Sequence, residues 1–201
     1  MPSAKIDLLR DRRRAELISQ IQQTAQRLFA RRGFDAVTTE DIAAAAGISI
    51  STYFRHAPTK EGLLVGPLRE ASAEIVEAYG ARPLDESPVE ALIRLFVARA
   101  QEAEATQAQT LETWRQAVAT APHLLSQSVL VTETEHRELV EQVASRMGVD
   151  AAADIRPALL VHTGLATVKF VIDRWLTRGV EASEFHVQLE ETLRLALAGF
   201  G

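Results

Sequence analysis

The stretch Thr38–Leu64, TTEDIAAAAGISISTYFRHAPTKEGLL, leaves the chain little choice of local structure. Thr38 and Asp41 have the spacing of a capping box, a hydroxyl and a carboxylate that satisfy the free N–H groups of a helix start. Ile42 and Ala46 fall on one helical face, and four consecutive alanines let another helix approach closely. Gly47 ends this helix where a left-handed residue is needed, and Ile48 pins the turn. Ser49 caps a second helix, Ile50–His56; Pro58 stops it, and Thr59 caps a third that begins at Lys60. Two short helices about a glycine turn form a helix-turn-helix at about 37–56, its second helix sized for a DNA major groove.

Positions Thr39, Ile42-Ala43, Ala46-Gly47-Ile48-Ser49, Thr52-Tyr53-Phe54, His56, Pro58 and Lys60-Glu61-x-Leu63-Leu64 resemble the DNA-binding signature of the TetR family of repressors. The resemblance covers about a quarter of the chain, with roughly a dozen positions in register. It implies an all-helical homodimer with a divergent ligand-binding domain behind the reading head. Phe54 stands where the family usually has Tyr, Ala57 replaces the usual Phe, and Glu40 stands where some members carry a cationic or polar contact.

Charge is distributed in the same sense. Residues 1–60 hold ten Lys/Arg against six Asp/Glu, a balance of +4. Residues 61–201 hold twelve against twenty-one, a balance of −9, so the net charge of −5 conceals a basic head on an acidic body. The absence of cysteine excludes disulfides and thiolate metal sites. The basic start MPSAKIDLLRDRRR lacks an apolar core behind it, and no apolar run approaches the ~20 residues that span a bilayer. A cytoplasmic protein with no membrane partner is expected.

Hydrophobic periodicity is helical throughout. Residues 1–13 read as a loose arm ahead of the first helix; Arg12, Arg13 and Arg14 are its candidates for a minor groove, and the alternative is a solvated, frayed helix start. Ile18, Ile21, Ala25, Leu28 and Phe29 give a first helix over 14–32 one buried face, and Gly33 ends it. A connecting helix runs from Lys60 to about Tyr79, with Leu68 among its buried residues and a kink expected at Gly66-Pro67. Further helices are expected over 88–106, 110–120, from Pro122 to about Met147 (with Leu125 and Val129 inside), up to Arg178, and after Ser183. Gly148 and Gly179 mark breaks. The expected fold is all-α. An N-terminal arm and three-helix DNA-binding domain occupy 1–60, and a helical ligand-binding and dimerisation bundle occupies 61–201. The last two helices carry more apolar surface than one core needs, which suggests a four-helix bundle built from two copies.

Thr39, Ser49, Ile50, Ser51, Thr52, Tyr53, Arg55, His56 and Lys60 are the candidate DNA contacts. Thr39 and Lys60 sit at helix starts that favour phosphate. Arg55 can make a bidentate bond to guanine, and Ile50 can touch a thymine methyl. Of the neighbouring rings, Phe54 is expected to pack inward. Phe96, Trp114, Arg115, Val118, His162 and Thr163 are the candidates for a ligand pocket, with Trp114 as its wall and the polar pair His162-Thr163 as its anchor. Glu133 and His136 share a helical face, but two potential ligands without a third do not make a metal site. No nucleophile motif or phosphate-binding glycine loop occurs, so neither catalysis nor a cofactor is expected. Ser87-Pro88-x-Glu90-Ala91-Leu92, Ala121-Pro122-x-Leu124, Arg146-Met147-Gly148-Val149-Asp150 and Arg174-Trp175-Leu176 resemble the ligand domain of the mycofactocin-regulator type, which is associated with acyl-coenzyme A-like ligands.

The function these features imply is a ligand-responsive transcriptional regulator, a repressor of double-stranded operator DNA released by a small hydrophobic or acyl-CoA-like effector. The alternative is a helical small-molecule-binding protein or enzyme that has lost DNA binding, for which Phe54 and Glu40 speak.

Overall fold

Helix boundaries follow from local chemistry wherever a cap is present. The computed structural model describes residues 3–57, 59–127, 131–178 and 185–200. Ten α-helices occur among them: α1 Ser3–Arg32, α2 Thr39–Ala45, α3 Ile50–His56, α4 Lys60–Ala73, α5 Ile75–Gly80, α6 Pro88–Ala119, α7 Pro122–Gln127, α8 Glu133–Met147, α9 Arg156–Arg178 and α10 Phe185–Leu197. A short 3-10 turn, Ala198–Phe200, follows. The described residues contain no strand, and no helix among them is long and apolar enough to cross a membrane. Gly33, Gly47 and Gly148 take positive φ, as helix ends of this kind require. Pro58, Val129, Gly179 and Ser183 lie outside the described residues, as do the side chains of Leu68, Leu111 and Leu125.

Several boundaries differ from those the sequence suggests. Residues 3–13 continue α1 instead of forming a loose arm. No glycine or proline interrupts Ser3–Arg32, and Arg12 pairs with Glu16 one turn on, at 3.2 Å. α4 remains helical through Gly66-Pro67, and the chain turns at Glu74 instead. Proline removes one N–H there without forcing the backbone out of helical φ and ψ. The segments 88–106 and 110–120 merge into the single helix α6, since the polar residues between them contain no breaker. Conversely, the long helix expected from Pro122 divides into α7 and α8. Thr132 and Glu135 form a second capping box, with Thr132 Oγ1 accepting from the Glu135 N–H at 3.2 Å and Glu135 accepting from the Thr132 N–H at 2.7 Å.

The chain divides into two compact units. The first is Met1–Pro67 with Glu112–Ser128, so it takes the last turns of α6 and all of α7 as well as the N-terminal helices. Ile21, Ala25 and Phe29 of α1 are fully buried there, together with Ile42, Tyr53 and Leu64. Phe34 and Val37 plug the loop between α1 and α2, the Phe34 ring tilted against Phe29 at 5.0 Å. Two bonds hold residues distant in sequence to this core. The Trp114 indole N–H donates to the Leu64 carbonyl at 2.8 Å, and the Phe34 N–H donates to Thr120 Oγ1 at 3.1 Å.

The second unit is Leu68–Leu111 with Val129–Gly201. Its core joins Tyr79, Leu92, Phe96, Leu139, Leu160, Val161, Leu189 and Leu193. Gly164 lets α9 approach α6 closely, because a Cβ there would lie 2.9 Å from Leu92 Cδ2. Arg146 of α8 donates to the carbonyls of Arg82, Pro83 and Glu86 and lies over the Tyr79 ring, fixing the loop between α5 and α6. The apolar residues of α9 surround most of the helix, yet part of its surface is exposed. Ile155 just before it, and Leu159, His162, Ala166 and Phe170 along it, form one exposed stripe at spacings of three and four.

Trp114→Phe keeps the ring packing but strips the Leu64 carbonyl of its indole donor. It should lower stability by about 1–2 kcal/mol, read from the urea midpoint at unchanged slope.

Candidate nucleic-acid interface

α2 starts on an intact capping box. Thr38 Oγ1 accepts from the Asp41 N–H at 3.1 Å, and the Asp41 carboxylate accepts from the Thr38 N–H at 3.1 Å. That N–H, together with the Arg32 guanidinium 3.2 Å away, holds the Asp41 carboxyl below the usual carboxylate range. A lowered carboxyl pKa contributes stability above its unfolded value and loses it only as pH falls through the folded value, so the box is intact at neutral pH. Gly47 turns the chain, its N–H and that of Ile48 donating to the carbonyls of Ala44 and Ala43. Gln20 of α1 ties this end down by donating to the Ala46 carbonyl at 3.2 Å. Ser49 then caps α3, accepting from the Thr52 N–H at 3.1 Å, while the two hydroxyls share a hydrogen bond at 2.9 Å. α3 is thereby anchored at its first turn and presents Ile50, Ser51, Phe54 and Arg55 outward.

The two adjacent rings reverse the expected order. Tyr53 is completely buried, whereas Phe54 is 53 % exposed and meets the Tyr53 ring edge-on at 5.3 Å. Tyr53 therefore supports the helix from beneath and cannot touch DNA from this position. Burial pushes its phenol pKa up, with the carboxylates of Glu61 and Glu40 adding to the shift. Its hydroxyl has no hydrogen-bond partner among the described residues. The reversal has a simple geometric origin. Positions 53 and 54 lie 100° apart on a helix, and the direction of the α1 core selects position 53.

Lys60 is also reassigned. Its ammonium donates to the carbonyls of Phe34 at 2.9 Å and Val37 at 3.0 Å and lies 4.1 Å over the Phe34 ring. Two of the three ammonium N–H groups expected at a phosphate are thus hydrogen-bonded to loop carbonyls, and one remains. Thr39 occupies the first position of α2, its hydroxyl donating to Glu40 at 3.0 Å. His56 is half-buried, and its Nδ1 has no hydrogen-bond partner among the described residues. Ser49, Ile50, Ser51, Thr52 and Arg55 are brought together on or beside one face, with Ile50 39 % exposed. Sequence reasoning missed the struts Gln20, Trp114 and Thr120, whose partners lie 26, 50 and 86 residues away.

The residues expected to form a ligand pocket are divided between the two units. Trp114, Arg115 and Val118 belong to the first unit, and Phe96, His162 and Thr163 to the second. Trp114 and Val118 are core, the former with its N–H on Leu64. Arg115 is paired with Glu112 at 2.6 Å. Phe96 is core, and His162 is exposed on the α9 stripe instead of anchoring a pocket. A depression of ≈ 310 Å³ in the second unit is lined by Arg82, Glu90, Arg94, Glu190 and Arg194, whose charges are taken up in ion pairs. Among the described residues no group of three or more His, Cys, Asp or Glu stands where it can hold a metal ion.

Comparison with known proteins agrees with this geometry. Residues 21–65 match the family of bacterial regulatory proteins described as tetR, and residues 86–201 match the MftR C-terminal domain. The chain is 29 % identical over 175 residues to the HTH-type transcriptional regulator TcmR of Streptomyces glaucescens, covering 85 % of this chain and 77 % of that one. SmeT, solved as a complex with triclosan, shares the fold with a TM-score of 0.60 and 16 % identity over 92 % of this chain and 91 % of its own. A TetR transcriptional regulator from Rhodococcus sp. RHA1 aligns with a TM-score of 0.51 and 17 % identity, covering 93 % and 98 %.

The contrast between the two rings can be checked by denaturation. Tyr53→Ala should cost about 3–5 kcal/mol, as truncation of a buried ring does. Phe54→Ala should stay within about 0.5 kcal/mol of wild type. Tyr53→Phe, which removes a buried hydroxyl without a partner, should be neutral or stabilising by up to about 1 kcal/mol.

Proposed function

The chain belongs to the TetR family of bacterial regulatory proteins, a DNA-binding transcriptional regulator, and we propose that it is a homodimeric repressor released from its operator by a small-molecule effector. The observation that carries this reading is the anchored α3, whose outward face offers Ile50, Ser51, Phe54 and Arg55. Short Ser51 lets the backbone approach the base edges. Arg55 supplies the planar fork that matches the two acceptors of guanine. The N–H groups at the start of α2, with Thr39 there, and the start of α3, with Ser49 there, suit phosphate oxygens. The segments 1–60 and 61–201 are proposed as the reading head and the effector and dimerisation domain, with the last turns of α6 falling in the same compact unit as the head.

The exposed apolar stripe supports a dimer. Phe170 is 57 % exposed and Leu195 80 % exposed, with Ile155, Leu159 and Val187 also open to solvent. Exposed apolar side chains of this kind favour association, and a two-fold pairing of α9 and α10 would bury them in both copies at once. Two heads carried by such a dimer read half-sites in successive major grooves, one helical turn apart.

Release needs an effector that binds one arrangement of the dimer better than another, since only differential affinity shifts the equilibrium. The resemblance of the C-terminal half to mycofactocin-type regulators points to a hydrophobic or acyl-coenzyme A-like molecule. α4 and α6 each contain residues of both units.

The test is a gel shift with DNA upstream of the protein's own gene. A specific complex is expected, and an acyl-coenzyme A should dissolve it; failure to bind any specific duplex would remove the repressor reading. Within that complex, Arg55→Ala should cost about 1–3 kcal/mol and relax the preference at one base pair. Sedimentation tests the dimer. Leu165 is half-buried and Leu193 is core, so charges there threaten the fold, whereas Phe170→Asp with Leu195→Glu should give a folded monomer at micromolar concentration.

A further inference from the structure

The outward face of α3 is unusual in what it lacks. Phe54 has neither a donor nor an acceptor in its side chain, yet it is 53 % exposed. It cannot bond a phosphate, and the core beneath α3 is already filled by Tyr53. Ile50 stands four residues earlier, so the two side chains lie one above the other on the same helical face, Ile50 itself 39 % exposed. Ser51 and Arg55 occupy the adjoining stripe with the same spacing. The reading face is thus half apolar and half polar, divided along its length.

The major groove displays one apolar group, the 5-methyl of thymine. We propose that Ile50 and Phe54 together form an apolar shelf that reads two thymine methyls, with Arg55 reading a guanine beside them. This specificity rests on the DNA-binding reading above and deepens it. The edge-on contact with Tyr53 at 5.3 Å holds the Phe54 ring, and the Ser49 cap holds the helix start beside Ile50, so both groups are positioned before DNA arrives. Four residues of helix rise about 6 Å. Two base-pair steps rise about 7 Å. The two methyls should therefore lie two steps apart in each half-site. Each methyl removed from water on a shelf of this kind strengthens binding about fourfold, the equivalent of one buried methylene-sized group.

The experiment begins by selecting duplexes from a random-sequence library with the full-length protein. Each thymine of the selected half-site is then replaced singly by uracil, which keeps the pairing edge and deletes only the methyl. Two positions, two steps apart, should each weaken binding about fourfold. In Phe54→Ala one of these positions should lose its sensitivity to uracil, and in Ile50→Ala the other should. Both residues are exposed, so the variants should fold, which thermal melting checks. The proposal is overturned if uracil is tolerated everywhere, or if both positions stay equally sensitive in both variants. A library that yields no preferred sequence at all would instead overturn the DNA-binding reading, and this inference with it.

Discussion

The loop between α1 and α2 sets the position of everything that follows it. Phe34 and Val37 must enter the core, and this brings their backbone groups away from water. Unpaired, each such group would cost a large part of a buried hydrogen bond. The Lys60 ammonium takes both carbonyls, and Thr120 takes the Phe34 N–H. With the loop held, Thr38 stands where its hydroxyl can start α2, and Gly47 and Ser49 place α3 from there. A single cation at the start of α4 thus governs the direction of the reading helix without needing to touch DNA itself.

This arrangement explains how the head can carry apolar groups on its functional face. Helix direction is fixed by caps and by the Lys60 clamp, so the exposed positions of α3 are free of structural duty. Phe54 and Ile50 remain open to solvent, while Tyr53 supplies the packing. The cost is visible in Tyr53 and His56, each with a buried polar atom lacking a hydrogen-bond partner among the described residues. Glu40 shows a related compromise, since its carboxylate accepts from Thr39 and leaves that hydroxyl only its lone pairs for other partners.

The second unit follows a different logic. Its interior is apolar and continuous, whereas the outer faces of its long helices are dense in paired charges such as Arg194–Glu90 and Arg94–Glu90. Against that background the Ile155–Phe170 stripe is conspicuous, because it is exposed among the described residues. Apolar surface on helices that also build the core is what the proposed dimer would cover.

The sequence by itself determined the all-helical class, the helix-turn-helix and most helix ends. Those features depend on groups within about four residues of one another, as a capping hydroxyl meets its N–H or a glycine meets its own backbone. Even the second capping box, Thr132 with Glu135, was legible, and only the apolar run around it disguised the break. The tertiary structure alone decided which of Tyr53 and Phe54 faces inward, because both are aromatic and neighbouring residues differ only by 100° of helical rotation. It alone placed the Lys60 ammonium and the Trp114 indole, long or large side chains whose partners lie 23 to 50 residues away. It also decided that Phe96, Trp114 and Val118 are core while His162 is exposed, for burial depends on what packs opposite a helix, and periodicity says only that one face is apolar.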